Sequence, residues 1–109
     1  MHSAKRLTHH WDEYYRKGNV PSFPSPFAEY VAKKLNTEQH ILEIGCGNGR
    51  DSTFFSSKGH HVTGLDRSHK AIELCKKLYS DKSIEFFFGT ITDIAKTKKK
   101  KYDLIYSRF

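Results

Sequence analysis

Residues 41–50, ILEIGCGNGR, restrict this chain more than any other stretch. A short apolar run carrying one acid, Glu43, feeds directly into glycines at 45, 47 and 49. An apolar run that enters a glycine-rich turn and then a helix opens a parallel α/β unit. Glycine serves such a turn twice: it adopts backbone angles that side chains resist, and it lets a ligand approach the main chain. A nucleotide-like ligand is the usual occupant of such a loop.

The rest of the chain repeats the alternation. HILEI (40–44) reads as a buried strand and RDSTFFSSK (50–58) as a helix closed by Gly59. HVTGLD (61–66) reads as the second strand. Ser68 then caps a helix whose Ala71, Leu74, Cys75 and Leu78 share a face. IEFFF (84–88) reads as a third strand, its aromatic run suited to burial on both sides. A helical turn and the lysine run KTKKKK (96–101) lead to a fourth strand, YDLIY (102–106). This order predicts a parallel sheet with right-handed crossovers.

Upstream, LTHHWDEYYRKG (7–18) reads as a helix ended by Gly18, and NVPSFPSPF (19–27) begins as an extended connector. A second helix starts with Ser25 as N-cap and Pro26 at its first position, with Phe27, Tyr30, Val31 and Leu35 on its apolar face. The chain therefore divides into a helical segment with a proline-rich connector, 1–36, and a sheet-bearing portion, 37–109. At 109 residues it makes one domain at most.

Composition excludes several classes. Eight Phe and six Tyr supply enough apolar surface to fold, so the chain is not disordered throughout. No apolar run approaches the ~20 residues of a membrane span, and the N-terminus lacks the apolar stretch of a secretory signal. A cytoplasmic protein is expected. Cys46 and Cys75 make no disulfide framework and read as reduced thiols. None of the seven histidines joins a cysteine or carboxylate at a ligand spacing, so no metal is expected. The net charge of +7 owes much to the 96–101 lysines, which read as a solvated loop. Aromatics interleaved with them would point to nucleic acid, and there are none.

The ligand follows from two features of the loop. The dinucleotide pattern G-x-G-x-x-G needs its third glycine at position 50, which is Arg50. An ionised Glu43 would also repel a pyrophosphate, by about 4 kcal/mol at roughly 4 Å and an effective dielectric near 20. A ligand with an ammonium group would instead be attracted. S-adenosylmethionine has an ammonium and a sulfonium and no phosphate. Asp66, closing the second strand, can accept two hydrogen bonds from ribose hydroxyls, a feature that NAD and S-adenosylmethionine share. Without a ligand it reads as an acid preceding a helix.

These residues carry a resemblance. ILEIGCGNGRDSTFF, VTGLDRS, FFFGTITD and YDLIYSRF resemble the first four ordered motifs of class I S-adenosylmethionine-dependent methyltransferases, over residues 40 to 109. The resemblance implies a Rossmann-like parallel sheet with flanking helices, ordered 3-2-1-4 and cut off after the fourth strand. It implies that Gly45, Cys46 and Gly47 line the methionine moiety, with Glu43 beneath the loop. Asp66 would hold the ribose, Arg67 would flank the adenine, and Thr90 and Ile91 would border the ring. The family often has an acid where Thr90 stands, so Asp93 or a backbone group would substitute for it. Ser107 would stand near the sulfonium and the incoming substrate. YSRF is not the Asn/Asp-Pro-Pro-Tyr motif of enzymes that methylate amino nitrogens of nucleobases or glutamine, which argues against those acceptors. The segment WDEYY…VPSFPSPFAEYV resembles the leading helices of small-molecule methyltransferases, and by that analogy Tyr15 closes over the cofactor; as a packing aromatic it needs no ligand.

The expectation is thus the cofactor-binding portion of a methyltransferase acting on a small molecule, with the catalytic residues unassigned. The alternatives are the cofactor domain of an NAD-dependent oxidoreductase and a basic nucleic-acid-binding module. A sheet ending at YDLIY would expose an apolar edge open to self-association or to a partner chain.

Overall fold

The computed structural model describes residues 23–80, 83–95 and 101–108. Helix α1 (Pro26–Lys34) precedes strand β1 (His40–Ile44), α2 (Arg50–Ser57), β2 (His61–Asp66), α3 (His69–Leu78), β3 (Glu85–Phe88), α4 (Ile91–Ala95) and β4 (Leu104–Ser107). All neighbouring strands pair in parallel, in the order β3-β2-β1-β4. This is the sheet and strand order expected of a Rossmann-like methyltransferase fold. The proposed helix over 7–18 and most of the lysine run lie outside the described residues.

The helix starts follow from their caps. Ser25 Oγ accepts from Ala28 N–H at 3.1 Å, and Pro26 opens α1 where its missing N–H leaves nothing unpaired. Ser68 Oγ accepts from Ala71 N–H at 3.1 Å and opens α3 in the same way.

One face of the sheet carries the main core. Ala28 from α1, Phe55 from α2 and Ile72 and Cys75 from α3 pack on Ile41, Val62, Ile84, Phe86 and Tyr106 from the sheet side. Phe55 is fully buried and meets Tyr106 edge-on with ring centroids 4.9 Å apart. Truncating such a side chain to alanine typically costs roughly 3–5 kcal/mol. Leu42 and Leu65 are buried on the opposite side of the pleat, yet Phe87 and Ile105, beside them in register, are exposed.

Three packing expectations need correction. The IEFFF run is not buried on both sides: β3 is an edge strand, Phe86 turns inward, and Phe87 and Phe88 are exposed. On α1 the buried contact is Ala28, while Phe27 and Tyr30 stay exposed because the helix lies over the rim of the core. On α3, Ile72 takes the place expected for Leu78, which is 51% exposed at the last turn. The fourth strand begins later than expected, at Leu104, after Asp103 has spent its carboxylate on His40 N–H at 2.8 Å.

Candidate functional site

From β1 the chain moves outward to β2 and β3 and then returns to β4 on the other side of β1. This is a topological switch point, and open parallel sheets bind ligands in the crevice at the carboxyl ends of the strands beside it. The glycine loop follows β1 there, Asp66 ends β2, and Ser107 ends β4 in register with Ile44.

The loop is held by its own hydrogen bonds. Gly45 N–H and Cys46 N–H both donate to Leu65 O, at 2.7 and 2.9 Å, and Gly49 N–H donates to Cys46 O at 2.9 Å. Gly47 N–H donates to Asp66 Oδ2 at 2.8 Å, and the Cys75 thiol donates to Gly47 O at 3.1 Å. The Gly47 peptide is therefore clamped at both ends. Asp66 Oδ1 accepts from Ser68 N–H at 2.9 Å, so this one carboxylate ties the loop to the start of α3. Gly49 has φ 81° and faces Cys75 Sγ and the Tyr79 ring; a Cβ there would lie 3.0 Å from each. Close packing and a left-handed angle both require glycine.

Glu43 lies in β1 just before the loop, and it is not a fixed charge. It is 3% exposed, and Ser52 Oγ donates to its Oε1 at 2.6 Å. Burial outweighs that bond and raises the carboxyl to about 8, so at neutral pH it is mostly protonated. The repulsion expected against a pyrophosphate is correspondingly weakened. Cys46 contributes main chain to the loop; its thiol is buried against Gly64 and hydrogen-bonded with Cys75, and that bond, with burial after it, pushes it up.

Beside Glu43 stands a buried carboxylate that reading the sequence did not single out. Asp51, in the first turn of α2, is 1% exposed. Its Oδ1 accepts from Ser25 N–H and its Oδ2 from Ser25 Oγ and the Tyr106 hydroxyl, each at 2.8 Å. Arg108 Nε lies 3.4 Å from the same Oδ2. Burial, and the Asp51 carboxylate after it, push the Tyr106 phenol up, so it acts as a donor. Asp51 thus joins the cap of α1, the helix after the glycine loop and the end of β4. An acid in a first helical turn is what a helix dipole alone would favour. That local explanation hides the long-range one.

Residues 41–109 match the family model described as a methyltransferase domain. This chain belongs to the class I S-adenosylmethionine-dependent methyltransferase family. The ubiquinone biosynthesis O-methyltransferase of Nitrosomonas europaea is 26% identical over 111 residues, a match that takes in 96% of this chain and 47% of that protein. The chain spans between 26% and 48% of the length of this and similar curated relatives. A structure concerned with converting a disulfide bond into a thioacetal group during echinomycin biosynthesis superposes with a TM-score of 0.77. At 23% identity, over 94% of this chain and 46% of that one, it shows the shared fold. The plantazolicin methyltransferase BamL, in complex with a triazolic desmethylPZN analog and SAH, is 27% identical with a TM-score of 0.64, over 89% of this chain and 38% of that one.

The second half of the methyltransferase crevice is built differently. Thr90 and Ile91 follow β3 and are exposed, as is Arg67. Asp93 Oδ2 accepts from Thr90 N–H at 2.8 Å and from Thr90 Oγ1 at 3.1 Å, and α4 buries no residue. Ser107 Oγ donates to Ile44 O at 3.4 Å. Tyr15 lies outside the described residues. A hollow of about 690 Å³ lined by Glu29, Leu35, Phe54, Lys58 and His60 adjoins the segments that enter β1 and β2, at the opposite end of the sheet from the glycine loop. Its place at the amino ends of the strands sets it apart from the crevice. Among the described residues, no group of three or more His, Cys, Asp or Glu is placed to hold a metal, and no helix is long and apolar enough to cross a membrane.

Proposed function

We propose that this chain forms the S-adenosylmethionine-binding portion of a methyltransferase acting on a small-molecule acceptor. The observation that carries the reading is the Gly47 peptide, clamped at the switch point with its N–H on the carboxylate of Asp66. A dinucleotide pyrophosphate is cradled by loop amides. Here the amides of Gly45, Cys46, Gly47 and Gly49 are all engaged within the protein, which disfavours NAD. A cationic ligand needs no such cradle. A cation beside Glu43 also favours its ionised form, so charge complementarity grows as the ligand enters.

In this reading the main chain of Gly45, Cys46 and Gly47 lines the methionine moiety above Glu43. A carboxylate accepts about four hydrogen bonds, so Asp66 can hold two amides and receive ribose hydroxyls. Arg67 flanks the adenine, and Thr90 and Ile91 border it. Ser107 stands toward the acceptor, and Tyr15 closes from the 1–36 segment onto the 37–109 portion. When bound, the cofactor supplies an electrophilic methyl group on sulfur. The chain's own residues contribute position and exclusion of water, which is most of what an in-line transfer needs.

A small-molecule acceptor is supported by what the relatives' names state, ubiquinone biosynthesis and plantazolicin methylation. The exposed Ile105 on edge strand β4 suits a further strand or a partner chain. Two buried free cysteines fit a reducing, cytoplasmic setting.

Parallel calorimetric titrations with S-adenosylhomocysteine and NADH test the assignment. Heat with the first and none with the second is expected, and Asp66→Ala should weaken the first. A folded chain that prefers NADH would refute it.

A further inference from the structure

We infer that Arg108 receives the α-carboxylate of the cofactor's methionine moiety, an assignment that rests on the cofactor reading above. Donors for that carboxylate are short around the loop. A methionine tail is zwitterionic, and its carboxylate needs hydrogen-bond donors wherever it comes to rest. The glycine loop has few to give. Gly45 and Cys46 N–H are spent on Leu65 O, Gly49 N–H on Cys46 O, and Gly47 N–H on Asp66. The Arg50 amide turns to Asn48 Oδ1 at 3.3 Å, and the Arg50 guanidinium reaches back to Phe23 O at 3.5 Å. Arg67 follows β2, on the side that the ribose would occupy.

Arg108 is where a donor is needed. It follows Ser107, which pairs with Ile44, so it stands level with Gly45 at the start of the loop. Its charge is felt at buried Glu43, the acid that precedes the loop. Its side chain keeps 43% exposure although it touches a carboxylate that is 1% exposed.

That contact fixes the guanidinium without exhausting it. Nε meets Asp51 Oδ2, and Asp51 is itself held by Ser25 N–H, Ser25 Oγ and the Tyr106 hydroxyl. The two terminal Nη groups have no partner among the described residues. A guanidinium carries five N–H donors in a planar fork, so tethering Nε leaves the terminal N–H donors for a ligand. A tethered fork loses little freedom on binding, and two parallel N–H bonds match a carboxylate better than a point charge does. Lysine at this position would keep the charge and lose the fork.

The test compares two ligands that differ by one group: S-adenosylhomocysteine and its decarboxylated analogue, 5′-deoxy-5′-(3-aminopropylthio)adenosine, which keeps the ammonium. Calorimetric titration is run on the chain, on Arg108→Gln and Arg108→Lys, and on Arg50→Gln as a charge-matched control. The wild-type chain should bind S-adenosylhomocysteine more tightly than the analogue by roughly 10- to 100-fold, the range of one charge-assisted hydrogen-bonding group. Arg108→Gln should erase that difference and leave the analogue's affinity unchanged, which also reports that the variant is folded. Arg108→Lys should recover part of the difference, and Arg50→Gln should preserve all of it. A difference that survives in Arg108→Gln, or an equal loss for both ligands, overturns the inference. A wild-type chain that binds neither ligand overturns the cofactor reading itself, an outcome distinct from the other two.

Discussion

The two sides of the crevice are held by different kinds of bond. On the glycine-loop side, Asp51 joins Ser25 and Tyr106 across sequence separations of 26 and 55 residues, inside a core where Ser25 and Tyr106 are each 2% exposed. On the side after β3, Thr90 and Asp93 bond across three residues at exposed positions, and α4 buries no residue. Bonds of the first kind form only when the whole fold is in place, and they are little screened. Bonds of the second kind are local and compete with water. The glycine-loop side is therefore set by the fold itself, and in the proposed reading the side after β3 is left for a ligand to order.

Substitutions at the two sides should differ accordingly. Asp51→Ala strands Ser25 N–H, the Tyr106 hydroxyl and Arg108, and removing one partner of a buried charged cluster costs roughly 3–5 kcal/mol. Urea unfolding of Asp51→Ala and of the milder Asp51→Asn measures it; a loss under about 1 kcal/mol for both would mean that the network is not a brace.

Glu43 offers a pH test of the same buried side. Its carboxyl is at 4.5 as an ordinary group and about 8 in the fold, so between those values the folded chain keeps a proton that the unfolded chain releases. Stability should be fully favoured below the lower value and should fall as pH rises toward the upper one, at about 1.4 kcal/mol per pH unit within the window. Glu43→Gln should flatten that slope in thermal melts across the window, and an unchanged slope would assign it to another group.

Gly49→Ala meets Cys75 and Tyr79 at a left-handed φ and should cost about 1–2 kcal/mol. At the other end of the scale, Asp93→Ala removes exposed local bonds, among them the two to Thr90, and should change stability by no more than about 0.5 kcal/mol. A larger loss at Asp93 than at Gly49 would erase the contrast between the two sides.

The same contrast explains what the sequence made legible. β2 is the HVTGLD run itself, because an apolar alternation bounded by Gly59 and Asp66 is a local signal. The glycine loop and the caps Ser25 and Ser68 were legible for the same reason. The Phe run of β3 misled because apolar content cannot tell a central strand from an edge strand, and only the strand order decides that. Asp51 was illegible because its partners Ser25, Tyr106 and Arg108 are all distant in sequence. Glu43 is buried in β1 just before the loop, and its charge depends on that burial, which tertiary packing sets.

Amide hydrogen–deuterium exchange, with and without S-adenosylhomocysteine, tests this division most directly. Residues 44–52 should be protected before the ligand is added and should change little, whereas 89–95 should exchange quickly and gain protection only with the ligand. An unprotected 44–52 segment in the free chain, or a ligand that leaves 89–95 as fast as before, would contradict the account.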